Sequence, residues 1–300
     1  MAKRPIFHMI NPMKHNSPFD INMAVDAGYD VVIPYENVKL EEVAGLTQDA
    51  IFSRGPAGVK KTGLFIGGRD IGLAMDMLDA AKKAMVPPFE VSVFADPSGA
   101  FTTAAALVAC VESELKKNFN QDLTGARAIV FGGTGPVGLA TAVIAAEHGA
   151  DTTIVDHFSI DTALEYAAEA KRRYGVDLHA TTAASDADKA RLISNADLVF
   201  CTAKAGIQVL DSSVLADAKN LKVAGDVNAV PPLGIEGIGI MDFGVPLAHT
   251  INSKDAVGIG ALAVGDVKYK LQQAMLKETL TDKTVYLDFR DAFDGARKLV

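Results

Sequence analysis

The stretch that most restricts how this chain can fold is ARAIVFGGTGPVGLATAVIAAEHGADTTIVD, residues 126–156. Ala126 to Phe131 read as a short apolar strand, and Gly133, Gly135 and Gly138 fit G-x-G-x-x-G. An Ala-rich helix follows to about His148. In such a unit one glycine permits the tight strand-to-helix turn, the second lets a pyrophosphate approach the backbone, and the third lets helix and strand pack closely. The phosphate then meets unpaired N–H groups and the positive end of the helix dipole. Glycines alone would mark any α/β turn, but here a strand precedes and a helix follows. A second strand, Thr152 to Val155, ends at Asp156, 23 positions past Gly133. That is close to the roughly 20 expected of an acidic residue that accepts hydrogen bonds from adenosine ribose hydroxyls. The plainer reading is that Asp156 starts a loop or caps the next helix.

Charge and cysteine usage exclude several classes. The formal net charge is −8, and the basic clusters are short and scattered, so no stripe exists for nucleic acid. Cys110 lies in AAALVACV and Cys201 ends LVFC, which predicts two buried thiols and no disulfide. Six scattered histidines give no metal-ligand spacing. The opening MAKRPIFHMINPMKH is interrupted by His8, Asn11 and Lys14 before a signal-like core can form. No run of about 18 apolar residues offers a membrane span. The expectation is a cytoplasmic protein with neither a metal nor a membrane partner.

Three hundred residues suit two domains. Before the fingerprint, strands are expected at Ile6–Ile10, Asp30–Pro34, Ala50–Phe52, Gly63–Ile66 and Val91–Ala95. Helices are expected at Pro18–Asp26, Leu40–Leu46, Asp70–Ala84 and Phe101–Lys117. Strands alternating with helices imply a parallel sheet covered on both faces. The polar segment Asn118 to Gly125 reads as a linker. Beyond the fingerprint, helices are expected at Ile160–Tyr174, Ala187–Ile193 and Ser213–Ala218, with strands at Asp177–Ala180, Leu198–Thr202 and Lys222–Val227. Pro231 and Pro232 forbid regular helix in NAVPPLGIEGIG. A helix from about Gly265 to Leu280 should return to the first domain. The predicted fold class is therefore α/β with two domains. An α/β domain with a parallel sheet takes residues 1–121, completed by 262–300, and a Rossmann-like dinucleotide-binding domain takes 122–261.

Over nearly its full length the chain resembles the bacterial methylene-tetrahydromethanopterin dehydrogenases of one-carbon oxidation. The matching pieces are SPFD (17–20), IFSRG (51–55), FIGG (65–68), TTAAA (102–106), GTGPVG (133–138), DVNAVPPLGI (226–235) and GIGALAVGDVKYK (258–270). The resemblance implies hydride transfer from the methylene carbon of a reduced pterin to NAD or NADP, giving the methenyl cation, and it implies a homo-oligomer. It points to Phe19 as an aromatic wall near the pterin and to Asp20 as a carboxylate at its polar edge. The plainer reading is a helix N-terminus, with Pro18 in the first turn and Asp20 as a favourable charge. Asp96 is a pterin ligand or a turn former, and Thr102 and Thr103 are pterin donors or simply helix-start residues. Lys268, in VGDVKYK, matches the family's lysine beside the reaction centre. Lys270 lies about 200° further round a helix, so one of the two faces any cleft. The reacting carbon gains positive charge as hydride leaves. Lys268 must therefore be neutral in a desolvated pocket or reach a pterin oxygen away from that carbon.

For the dinucleotide the candidates are Gly133, Thr134, Gly135, Val137, Gly138 and Asp156. Ala203 and Lys204 after the Leu198 strand, with Asn228 and Gly260 on later loops, complete the set; the plainer reading of these last four is loop geometry. VDHFSI carries no Lys or Arg for a 2′-phosphate, so productive use of NAD is expected, with NADP also possible. Two rival readings remain: a methylene-tetrahydrofolate dehydrogenase, and a sensor that binds dinucleotide without turnover.

Overall fold

Short apolar runs bounded by Gly, Pro, Asn and Asp become strands here, and the amphipathic or Ala-rich runs between them become crossover helices. The computed structural model describes residues 3–300. Residues 1 and 2, part of the opening read for a signal sequence, lie outside the described residues. The first elements are β1 (Ile6–Ile10), α1 (Pro18–Ala27), β2 (Val31–Tyr35), α2 (Val43–Phe52), α3 (Gly55–Val59), β3 (Thr62–Ile66), α4 (Ile71–Lys83), β4 (Ser92–Ala95) and α5 (Ala100–Phe119). Then come β5 (Arg127–Phe131), α6 (Pro136–Glu147), β6 (Asp151–Asp156), α7 (Ile160–Tyr174), β7 (His179–Thr182), α8 (Asp186–Ile193), β8 (Leu198–Cys201), α9 (Ser212–Leu215) and β9 (Val223–Asp226). The last are β10 (Phe243–Pro246), β11 (Val257–Ile259), α10 (Ala261–Glu278), β12 (Tyr286–Leu287) and α11 (Phe289–Ala296).

The chain divides into two compact units, Met1–Thr102 with Tyr269–Gly295, and Thr103–Lys268 with Ala296–Val300. The divisions fall inside α5, α10 and the end of α11, and from Tyr269 onward α10 brings the chain back to the first unit. That unit holds a five-stranded sheet of order β12-β4-β3-β1-β2, parallel throughout. Phe7, Phe65 and Phe94 are buried on neighbouring strands, and Tyr29 stacks on Phe7 with ring centroids 4.2 Å apart. The second unit holds seven strands in the order β10-β11-β9-β8-β5-β6-β7. Counted from β5, its parallel strands run 3-2-1-4-5-6, the doubly wound dinucleotide order, with its switch point between β5 and β8. Helix α6 is buried from Gly138 to Ala145, as a helix that is apolar all round must be.

Several local expectations are corrected. Ala50–Phe52 are the last turn of α2 and form no strand, because three apolar residues cannot by themselves distinguish a strand from a helix end. Leu40–Glu42 form a 3₁₀ turn ahead of α2. Helix α10 begins at Ala261, four residues before Gly265, which sits inside it with no neighbour close enough to need the missing side chain. Sequence reading also missed β10, an antiparallel edge strand on β11, as well as β12 and α11. Among the described residues no helix is long and apolar enough to cross a membrane.

Candidate functional site

In the second unit the ends of β5, β6 and β8 converge on the fingerprint turn. Gly132, just before the fingerprint, has φ +73°, and a Cβ there would lie 2.8 Å from the backbone of Ala203. Gly138 is needed for a different reason. Its Cβ would run into the Gly132 carbonyl oxygen and lie 2.7 Å from Thr202 Oγ1, so helix and strand could not pack. Gly135 is the N-cap of α6, Pro136 opens the helix and Val137 is half-buried in its first turn.

Asp156 ends β6 and is half-buried. One carboxylate oxygen accepts from Thr134 Oγ1 at 2.6 Å, and the other accepts from the N–H groups of Phe158 and Ser159, both at 2.8 Å. Burial pushes its pKa up, but these three donors outweigh burial and hold the carboxyl below its ordinary value of 3.8. Asp156 therefore stays ionised, and it also staples the turn that carries the exposed Phe158.

Beside these groups lies a cavity of about 490 Å³. Its walls include Gly132, Asp156, Phe158 and, from the loop after β8, Ala203, Lys204 and Ile207. It is roomy, largely apolar and placed at the switch point, which suits an adenosine group with a few polar contacts. Gly132, Asp156, Ala203 and Lys204 thus line one cavity, and of the fingerprint itself Thr134 is tied to it by its hydrogen bond to Asp156.

Asn228 and Gly260 each meet partners within the chain. Asn228 is buried; its Oδ1 accepts from Gly206 N at 3.1 Å and Val230 N at 2.9 Å, and its Nδ2 donates to the Pro232 carbonyl at 2.9 Å. It ties the loop after β9 to the loop that walls the cavity. Asp226, buried at the end of β9, accepts from Asn228 N and Ile235 N, and its pKa is raised by burial in spite of those donors. Gly260 packs against the 239–242 turn, where a Cβ would collide with the Gly239 carbonyl oxygen. Chain packing accounts for that glycine.

In the first unit Asp96 is fully buried and caps α5. It accepts from Phe101 N at 2.9 Å, Thr102 N at 3.1 Å and Thr102 Oγ1 at 2.6 Å. Thr102 is buried with it and Thr103 is half-buried. Phe19 is 46% exposed on the first turn of α1. Asp20 beside it is buried and accepts from Nε2 of the fully buried Gln272 at 2.8 Å. On α10 Lys268 is half-buried and Lys270 exposed. Sequence reading missed Gly132, Phe158 and Gln272. The signal for Gln272 was its place one helical turn beyond Lys268, on the same face.

Neither cysteine is placed for nucleophilic work. Cys110 and Cys201 are buried, and burial pushes the Cys110 thiol up to about 12 and raises that of Cys201 as well. What the geometry offers is ligand placement.

Comparison with known proteins fits that offer. The family model "Methylene-tetrahydromethanopterin dehydrogenase, N-terminal" matches residues 18–98. A Methylorubrum extorquens protein named NAD(P)-dependent methylenetetrahydromethanopterin dehydrogenase is 47% identical over 291 residues, 97% of each chain. The Bifunctional protein MdtA of the same organism is 31% identical over 94% of each chain. Among solved structures, ligand-free 5-ketofructose reductase of Gluconobacter sp. strain CHM43 matches with a TM-score of 0.52 at 15% identity, covering 99% of both chains. Shikimate 5-dehydrogenase from Listeria monocytogenes matches with a TM-score of 0.51 at 13% identity, covering 97% of this chain and 96% of that one. These two likenesses speak to the fold alone. With near half its residues identical along almost its whole length, the chain belongs to the NAD(P)-dependent methylenetetrahydromethanopterin dehydrogenase family.

Proposed function

We infer that this chain catalyses the NAD(P)-dependent oxidation of methylene-tetrahydromethanopterin to the methenyl compound, a step of one-carbon oxidation. The observation that carries the inference is the 47% identity across 97% of the chain to a relative of that name. What supports the second unit as the dinucleotide site is its glycine turn, where Gly132 and Gly138 let strand, helix and the loop after β8 pack closely, and Asp156, which supplies an ionised acceptor. NAD(P) held there supplies the hydride acceptor. The reaction needs no water and no nucleophile, so what the chain's own residues contribute is placement. Holding donor and acceptor carbons about 3–3.5 Å apart can account for several kcal/mol of barrier lowering.

In this reading residues 122–261 bind the dinucleotide, and residues 1–121 with 262–300 bind the pterin. The exposed ring of Phe19 walls the pterin, and Asp20, its carboxylate fixed by Gln272, meets the polar edge. Asp96 and Thr102 act together by fixing the start of α5, which presents Thr103. Lys268 contacts the pterin away from the reacting carbon. Asn228 acts on the dinucleotide site through Gly206, and Gly260 through the packing of the 239–242 turn. The protein works in the cytoplasm as a homo-oligomer. The test is an assay of the purified protein with methylene-tetrahydromethanopterin and with methylene-tetrahydrofolate, each with NAD and NADP. The expected outcome is a kcat/KM far higher on the methanopterin carrier; equal or better turnover of the folate compound would overturn the carrier assignment.

A further inference from the structure

Four ionisable side chains line the 490 Å³ cavity: Asp156, His157, Lys189 and Lys204. Three of them are already engaged. Asp156 is held by Thr134 and two backbone N–H groups. His157 stands edge-on to Phe158, ring centroids 4.5 Å apart. The Lys189 ammonium lies 2.8 Å from the Asp186 carboxylate, with its side chain only 13% exposed. Lys204 differs from all three. It lies exposed on the wall, and among the described residues it has no hydrogen-bond or ion-pair partner.

An unpaired cation facing a nucleotide-sized, largely apolar cavity is suited to an anionic ligand group. The dinucleotide offers two such groups, the pyrophosphate and, in NADP, the 2′-phosphate. The pyrophosphate already has the fingerprint glycines and the N-terminus of α6. A 2′-phosphate has no such provision near Asp156, where a negative charge opposes it and VDHFSI supplies no Lys or Arg. We propose that Lys204 is the receptor for an adenosine 2′-phosphate, so that one pocket accepts NAD through Asp156 and NADP through a cation from the loop after β8. The proposal rests on reading the cavity as the adenosine site. Asp156 need not move or be neutralised. Its three donors already draw on its charge, and Lys204 supplies the compensating attraction from a different segment of the chain.

The probes are 5′-AMP and adenosine 2′,5′-bisphosphate, which differ only by the 2′-phosphate, with binding followed calorimetrically on the full-length protein. Lys204→Ala is expected to weaken the bisphosphate about tenfold more than 5′-AMP, the scale of one charge-assisted hydrogen bond. Lys204→Arg should restore most of that difference, and a thermal melt of each variant reports that it is folded. Equal losses for both ligands would assign Lys204 to the 5′-phosphate side and overturn the proposal, as would no loss for either. A larger differential from Lys189→Ala would overturn it in favour of Lys189. If the wild-type protein binds neither ligand, the adenosine-site reading itself fails and the proposal falls with it.

Discussion

Replacing Asp156 separates its two occupations, ribose acceptor and loop staple. In Asp156→Ala the ribose hydroxyls lose a charged acceptor. Hydrogen bonds to charged groups contribute about 1.5–3 kcal/mol, and the half-buried position argues for the low end, so KM for NAD should rise about tenfold. The same change removes the acceptor of Phe158 N, Ser159 N and Thr134 Oγ1. By analogy with a lost helix cap this costs about 0.5–2 kcal/mol of stability. Asp156→Asn keeps one acceptor oxygen for the turn, so it should raise KM for NAD with a smaller stability loss. Both variants remove the charge that opposes a 2′-phosphate, and relative use of NADP should improve in both. The stability effect has a defined pH window. The folded carboxyl titrates below 3.8 and the unfolded one near 3.8. Its contribution is therefore fully present above the unfolded value and is lost as pH falls through the folded one. The melting difference between wild type and Asp156→Ala should be largest near neutrality and shrink as pH falls below 3.8. The checks are steady-state kinetics with both dinucleotides at saturating pterin and thermal melts across that range. Unchanged KM values in both variants, or a wild type that reduces NADP but not NAD, would refute the reasoning.

Lys268→Ala should lower kcat by about tenfold or more and Lys270→Ala much less, because the half-buried and the exposed lysine point to different faces of α10; near wild-type turnover in both would remove that helix from the active site. Asn228→Ala should cost about 1–3 kcal/mol in urea unfolding, since Gly206 N and Val230 N lose their acceptor. It should also raise KM for NAD by loosening the cavity wall, with KM for the pterin little changed; a rise in both KM values alike would contradict the assignment. Gly138→Ala places a methyl against the Gly132 carbonyl oxygen and should cost about 1–3 kcal/mol of stability together with dinucleotide affinity; an alanine variant that melts and binds like wild type would show that the turn relaxes freely.

The local chemistry of this protein was legible without coordinates. Strand, glycine turn, helix and acidic strand end between 126 and 156 appear where the spacing predicts them, because that spacing is dictated by what a short βα turn can accommodate. The burial of both cysteines followed from the apolar runs around them. Less legible were elements with no period of their own. Ala50–Phe52 is helix because α2 carries it, and β10 and β12 are strands because β11 and β4 offer them ladders, which are long-range facts.

The site divides in the same way. Residue types at fixed spacing pointed to Gly133, Gly138 and Asp156, since their roles depend on the backbone near them. Asn228 and Gly260 were placed in the cofactor set from their loops, and only tertiary structure gave each a protein partner that accounts for it. Gln272 meets Asp20 across 252 positions, and Lys204 joins Asp156 in one cavity from separate strand ends. The sequence by itself determined the turn, the helix cap and the charge at each strand end, because these are settled within a few residues by sterics and hydrogen bonding. Which side chains share a cavity, which donors an acid has already satisfied and which cation is left unpaired were decided by tertiary structure, because strand order in the sheet, and not distance along the chain, sets what lies beside what.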